Sequence, residues 1–173
     1  MSDVLNELAD HHLIRQTLER YCRGIDRLDA GLIDSVYWED STDNHGIYVG
    51  PGPDFSAFII PMLREAFERT MHVIGQSNIK VNGGRAAAET YFVAYHTRHD
   101  GGTAIDVAAG RYADMLEKRG GEWKLLDRTV VMDWVETRRG LENSALALDG
   151  FVNGARDTGD VSYRAYEWAM EVR

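Results

Sequence analysis

The sequence predicts an α+β fold in one domain: helices at the N-terminus packed on a strongly curved antiparallel sheet, giving a cone-shaped α+β barrel with a pocket inside. Two features predict it. Up to about residue 70, apolar residues recur at three- and four-residue spacings, the period of helices. After Met71 the chain becomes a series of long strand-like runs separated by glycine turns. The runs follow one another directly, which specifies an antiparallel meander rather than βαβ units.

The first helix is expected over Val4 to Ile25, where Leu8, Ile14, Leu18, Tyr21, Cys22 and Ile25 form an apolar stripe. Asp29 is placed to cap a short second helix carrying Leu32, Ile33, Val36 and Tyr37. Asp40 to Asn44 reads as a polar turn leading into a short strand, His45 to Val49, which Gly50-Pro51-Gly52-Pro53 ends. A third helix is expected over Asp54 to Thr70, kinked or divided at Pro61. Four strands follow, at Val73 to Val81, Ala86 to Thr97, Ala104 to Glu117 and Glu122 to Val135. Asn82-Gly83-Gly84, Asp100-Gly101-Gly102 and Arg119-Gly120-Gly121 supply the hairpin turns between them. Beyond Gly140, Leu141 to Val152 and Tyr163 to Met170 are short helical candidates.

A length of 173 residues, 44% hydrophobic and 27% charged, suits one ordinary globular domain. The net charge of −9, with scattered basic residues, argues against nucleic acid or an anionic membrane as partner. The single cysteine, Cys22, permits no internal disulfide. No apolar run is long enough to span a bilayer and the N-terminus lacks the pattern of a signal peptide, so a cytoplasmic location is expected.

Two residues stand out for chemistry. Asp26 lies next to the apolar stripe of the first helix. A carboxylate there is either desolvated, and so a stronger base, or bound by Arg23, Arg27 or a backbone N–H. His72 stands at the expected hand-over from helix to strand, where an imidazole that titrates near neutrality can face a cavity. A lone histidine at such a junction is more often a satisfied packing residue. As a pair, the carboxylate fixes the imidazole tautomer and stabilises the imidazolium formed on proton abstraction.

Side chains alternate along the strands. Tyr91, Val93 and Tyr95 share one face and Phe92, Ala94 and His96 the other. Arg111 and Arg128 are costly inside apolar strands unless paired, so they either polarise a substrate oxygen or pair with Asp114, Asp127 or Asp133; pairing is weighted slightly higher. Cofactor and metal motifs fail. The acidic stretch around Asp40 lacks EF-hand spacing, and His96 and His99 diverge on a strand. No dinucleotide or phosphate loop follows a strand, and no serine sits in a nucleophile elbow. Cofactor-free general acid–base chemistry remains, with neither metal nor organic cofactor expected.

Several segments, taken in order, carry a family resemblance. They are Tyr21-Cys22-Arg23-Gly24-Ile25-Asp26, Tyr37-Trp38-Glu39-Asp40, Asp43-Asn44-His45-Gly46 and Met71-His72-Val73-Ile74-Gly75-Gln76. Tyr91-Phe92-Val93-Ala94-Tyr95-His96, Gly110-Arg111-Tyr112 and Trp123-Lys124 followed by Arg128 complete the series. Over roughly residues 5–137 the chain resembles the SnoaL-like branch of the nuclear-transport-factor-2-like superfamily. Members include scytalone dehydratase and hexachlorocyclohexane dehydrochlorinase, cofactor-free lyases with an Asp–His dyad.

The resemblance implies a domain over residues 1–137 and a C-terminal extension, 138–173, covering the pocket or a subunit interface. It maps the catalytic dyad onto Asp26 and His72. Tyr21, Tyr37, His45, Tyr95, His96, Arg111 and Arg128 are the expected substrate-binding residues. The implied activity is a lyase of the dehydratase, dehydrochlorinase or aldehyde-lyase type, acting on a small cyclic or aromatic compound. Alternatives are an isomerase or polyketide cyclase using the same base, and a non-catalytic ligand-binding or oxygenase small-subunit-like module. A homo-oligomer is expected, with a trimer ahead of a dimer.

Overall fold

The computed structural model describes residues 2–101, 103–140 and 150–171. The order is α1 (Ser2–Arg27), α2 (Ala30–Asp34), β1 (Tyr37–Asn44), β2 (Val49–Pro51), a 3-10 turn (Gly52–Asp54) and α3 (Phe55–Ala66). Then come β3 (Phe67–Asn82), β4 (Arg85–Arg98), β5 (Ala104–Arg119), β6 (Glu122–Arg139) and α4 (Val161–Met170). One six-stranded sheet has the order β2-β1-β6-β5-β4-β3. It is antiparallel except where β1 runs parallel to β6. The fold is the α+β cone: the helices close one face of the curved sheet.

The stripe on α1 packs into this concave face. Ile14, Leu18, Tyr21, Cys22 and Ile25 join Ile33, Phe55, Phe92, Tyr112 and Leu125 in one core. Apolar area removed from water at roughly 25 cal/mol per Å² is what fixes the helix there, since helix propensity alone supplies little. Helix α1 ends at Leu28, which takes a left-handed φ of 51°. Asp29 N–H then donates to Gly24 O at 2.9 Å, and the Asp29 carboxylate accepts from Leu32 N–H to start α2.

Two sheet features bend the wall. Register shifts break the β3–β4 ladder between Ile74 and Ser77 and the β5–β6 ladder at Ala109/Gly110. Gly110 is required at the second: a Cβ there would stand 2.0 Å from Val131 O.

Three expectations are corrected. Tyr37 to Asn44 is a strand, not a helix end and turn, while His45 to Val49 is mostly a tight turn closed by His45 N–H donating to Tyr48 O. The inward positions of β1 include Ser41 and Asp43, polar but buried, so the usual apolar alternation is missing. The third helix stops at Ala66, because Phe67 to Thr70 pair with Arg98 to His96 of β4. Ladder pairing overrides the helix-forming composition of that stretch. His72 therefore sits within a strand and not at its start. The helix expected over Leu141 to Val152 lies largely outside the described residues; α4 corresponds to the second candidate.

The described part of the extension packs on the helices. Tyr163 Oη donates to Asp29, and the Arg23 guanidinium lies between the Tyr163 and Tyr166 rings at 4.6 and 4.5 Å. Arg156 donates to the carbonyls of Leu63 and Phe67, pinning the junction of α3 and β3. No helix among the described residues is long and apolar enough to cross a membrane.

Candidate functional site

The inner face of the sheet, α1 and α3 enclose a cavity of about 180 Å³. A cavity of ~150 Å³ accepts a benzene ring, so this one has room for a single substituted ring. Its walls are mainly apolar and aromatic, including Ile25, Phe55, Phe92, Val130 and Met132, with Tyr21, His45, His72, His96 and Tyr112 as its polar groups. A larger open depression of about 780 Å³, past His11, Lys80 and Met115, lies away from these histidines.

Asp26, near the end of α1, meets His72 of β3. His72 Nδ1 stands 2.7 Å from Asp26 Oδ1, and the backbone N–H of His72 donates to Oδ2 at 2.9 Å. Both side chains are largely buried. Burial pushes the Asp26 carboxyl up, but the His72 ring, its backbone N–H and the Thr70 hydroxyl outweigh it and hold the group below its ordinary value. An ionised carboxylate facing Nδ1 requires the proton on Nδ1. Nε2 is then the bare, basic nitrogen.

A second carboxylate–imidazole pair shares the cavity. His45 Nδ1 contacts Asp43 Oδ1, and His45 Nε2 is 2.9 Å from the Tyr21 hydroxyl. The other Asp43 oxygen accepts the Tyr37 hydroxyl. Burial lowers the His45 pKa against the pull of Asp43. Phe55 stacks on the His45 ring with centroids 4.3 Å apart. His96 lies beside His72, ring centroids 5.6 Å apart; burial first, and then the neighbouring His72 imidazole, push it down to about 4.

The remaining expected site residues divide. Tyr37 is buried behind the cavity wall, its hydroxyl on Asp43 and its ring edge-on to Tyr21 and Phe55. Arg128 is also behind the wall: fully buried, it donates to both oxygens of Asp114 at 2.7 and 2.8 Å, with its guanidinium 4.2 Å from the ring centroids of Tyr21 and Tyr112. Tyr95 and Arg111 point the other way. Tyr95 pairs with Met71 and Val107, on the strand face opposite His72 and His96. Arg111 is held on that outer face by Glu89 at 2.8 Å and Asp133 at 3.3 Å, so the expectation that it meets substrate is corrected by ordinary strand alternation.

Asp43 was not among the expected site residues. Its signal was the spacing Asp43-x-His45, two positions apart and so on one side of an extended chain; reading this stretch as a turn concealed it. Tyr112, Phe55 and Phe92 were also missed, because as apolar-face residues they are indistinguishable from core. Among the described residues no three His, Cys, Asp or Glu side chains are placed to hold a metal ion.

Comparison with known proteins bears on the fold and the family. The fold is shared with a hexachlorocyclohexane dehydrochlorinase from Novosphingobium barchaimii: TM-score 0.69, 19% identity, covering 86% of this chain and 98% of that one. A putative scytalone dehydratase from Novosphingobium aromaticivorans gives 0.70 at 19% identity, covering 92% and 98%. The beta subunit of a putative aromatic-ring-hydroxylating dioxygenase from the same organism gives 0.63 at 22% identity, covering 75% and 93%. Identities this low establish the fold alone. No curated protein matches by sequence. The family model for the SnoaL-like domain matches residues 6–129, which span both carboxylate–imidazole pairs and most of the cavity wall. This chain belongs to the SnoaL-like family, within the nuclear-transport-factor-2-like superfamily.

Proposed function

We propose that the chain is a lyase that performs general acid–base elimination on a small cyclic or aromatic substrate. His72 removes a proton through Nε2, Asp26 holds the ring and stabilises the imidazolium, and water, halide, an aldehyde or a similar group leaves. The observation that carries this reading is the 2.7 Å contact between Asp26 and His72 Nδ1, which leaves Nε2 bare at an apolar cavity. Each step is a proton transfer or a heterolytic bond cleavage, so none calls for a metal or an organic cofactor. Such a base contributes on the order of 10²–10⁴-fold when its pKa lies near the working pH.

The dehydrochlorinase and dehydratase among the structural relatives favour elimination over isomerisation or cyclisation by the same base. The dioxygenase subunit keeps a non-catalytic module in view, and the two carboxylate–imidazole pairs weigh against it. The test is incubation, without added cofactor, with aryl-propanoid, chlorinated-ring and polyketide compounds. The expected result is a product lacking one small molecule and carrying a new double bond. Stoichiometric binding with no turnover across the panel would favour the binding module.

The assembly proposed is a homo-oligomer, a trimer ahead of a dimer. Supporting it, the outer sheet face leaves Met71, Val73, Tyr91 and Met115 exposed at 54, 48, 37 and 62%. Burying such a patch is worth roughly 25 cal/mol per Å². Light scattering at micromolar concentration should exceed the mass of the 19.5 kDa monomer.

A further inference from the structure

We infer that Tyr21, His45 and Asp43 form a second proton-accepting relay, which recognises a hydroxyl group on the substrate and takes up its proton. The inference rests on the cavity being the substrate site, as proposed above, and adds a substrate class to it.

The direction of each hydrogen bond follows from the buried end outward. Asp43 on β1 is 1% exposed. One of its oxygens accepts the Tyr37 hydroxyl, whose proton burial makes very hard to remove. The other oxygen faces His45 Nδ1. A carboxylate that accepts on both oxygens leaves the proton on Nδ1. His45 is kept neutral by its burial, so Nε2 is an acceptor, and the Tyr21 hydroxyl 2.9 Å away must be the donor.

The proton of Tyr21 is thus committed inward. What its oxygen has left is lone-pair capacity, and Tyr21 and His45 both line the cavity. An oxygen with only acceptor capacity selects a donor, and the ligand group that can also give up a proton at moderate cost is a hydroxyl. The two carboxylate–imidazole pairs differ in this respect. His72 presents a bare ring nitrogen, whereas His45 has its nitrogen occupied and extended by a tyrosine. The two imidazoles also sit at opposite sides of the sheet order, His72 on β3 at one edge and His45 in the turn just after β1, next to the other. A substrate between them meets two acceptors of different reach.

The proton transfer balances without an oxidant or reductant. The substrate O–H proton passes to the Tyr21 oxygen as Tyr21's own proton passes to His45 Nε2. Asp43 stabilises the resulting imidazolium, and the substrate is left as an oxyanion. The Arg128 guanidinium, 4.2 Å from the Tyr21 ring centroid and pinned by Asp114, is a fixed positive charge that favours negative charge on the phenol during transfer. His72 stays free for the proton at carbon.

Two measurements test the relay. The first uses ¹⁵N-histidine NMR on the unliganded protein. His45 is expected as the Nδ1–H tautomer, with the Nε2 resonance moving in Tyr21→Phe; the Nε2–H tautomer overturns the relay. The second compares 4-nitrophenol with its methyl ether, 4-nitroanisole. The phenol is expected to bind about tenfold tighter, the size of one hydrogen bond, and to show phenolate absorbance at a pH where free phenol does not. Tyr21→Phe and Asp43→Asn should remove both differences, with folding checked by circular dichroism, while His72→Ala keeps them. Equal affinity for phenol and ether in the unmodified protein, no saturable phenol binding, or a preference that survives Tyr21→Phe each overturns the inference. Because His72→Ala is expected to retain phenol binding, failure of the elimination reading and failure of the relay are told apart.

Discussion

Removing Arg128 should destabilise this protein more than removing any exposed arginine, even though Arg128 lies behind the cavity wall. Arg128 and Asp114 are both fully buried and joined by two hydrogen bonds of 2.7 and 2.8 Å. Burial pushes the Asp114 carboxyl up even with the guanidinium against it, so a lone Asp114 has no means of staying charged at low cost. Breaking a buried pair from one side costs about 3–5 kcal/mol. The lost stacking between the Tyr21 and Tyr112 rings adds about 1–2 kcal/mol more. For a chain of this length each kcal/mol moves Tm by about 2–4 °C, so a total loss of about 4–7 kcal/mol in Arg128→Met should lower Tm by roughly 8–28 °C. The double variant Arg128→Met with Asp114→Leu should recover most of the loss, because it removes both buried charges together. Thermal unfolding followed by tryptophan fluorescence reads Tm, and urea unfolding with m-values compared reads the free-energy difference. A Tm change under about 2 °C in Arg128→Met, or a double variant as unstable as the sum of the singles, would refute the reasoning.

Other expectations follow from burial and pairing. Cys22 is buried with its thiol pushed up to about 12, so a thiol reagent at pH 8 should label it only after denaturation. His96 is held neutral, its pKa lowered from 6.5 to about 4 by burial and then by His72. Between those values the unfolded chain binds more protons, so this contribution is complete above about pH 6.5 and is lost as pH falls towards 4, at most ~3 kcal/mol. His96→Gln should flatten the stability profile over that range, and an unchanged slope would contradict the assignment. Arg111→Ala should leave kcat and KM within about threefold, since Arg111 is paired on the outer face; a large rise in KM would return it to the site.

How much the sequence revealed depended on where each signal lay. Helix α1 and the four long strands were legible because their apolar residues repeat at 3.6 or at 2, and the glycine turns separate them. Strand β1 was not, because its inward residues Ser41 and Asp43 are polar, Ser41 being satisfied by the Trp38 carbonyl and Asp43 by Tyr37 and His45, and so break the apolar alternation. Asp26 could be singled out as a carboxylate beside an apolar stripe and His72 as an imidazole at an expected junction, and the family resemblance paired them; their distance is a tertiary fact. Arg111 and Arg128 looked alike in sequence, each an arginine in an apolar strand. Strand register separates them, one outward among carboxylates and the other inward on Asp114. The relay through Asp43 and His45 was hidden by the same misread strand.

The most direct test of His72 as the base is single-turnover and steady-state kinetics of His72→Ala, Asp26→Asn and the double variant on whichever compound of the panel reacts. His72→Ala should lower kcat by about 10²–10⁴-fold with KM little changed, since proton transfer matters only in the transition state. Asp26→Asn should also lose heavily, and the double variant should cost far less than the product of the singles, because the pair acts as one unit. Full turnover by His72→Ala would place the base elsewhere in the cavity, with His45 and His96 the next residues to replace.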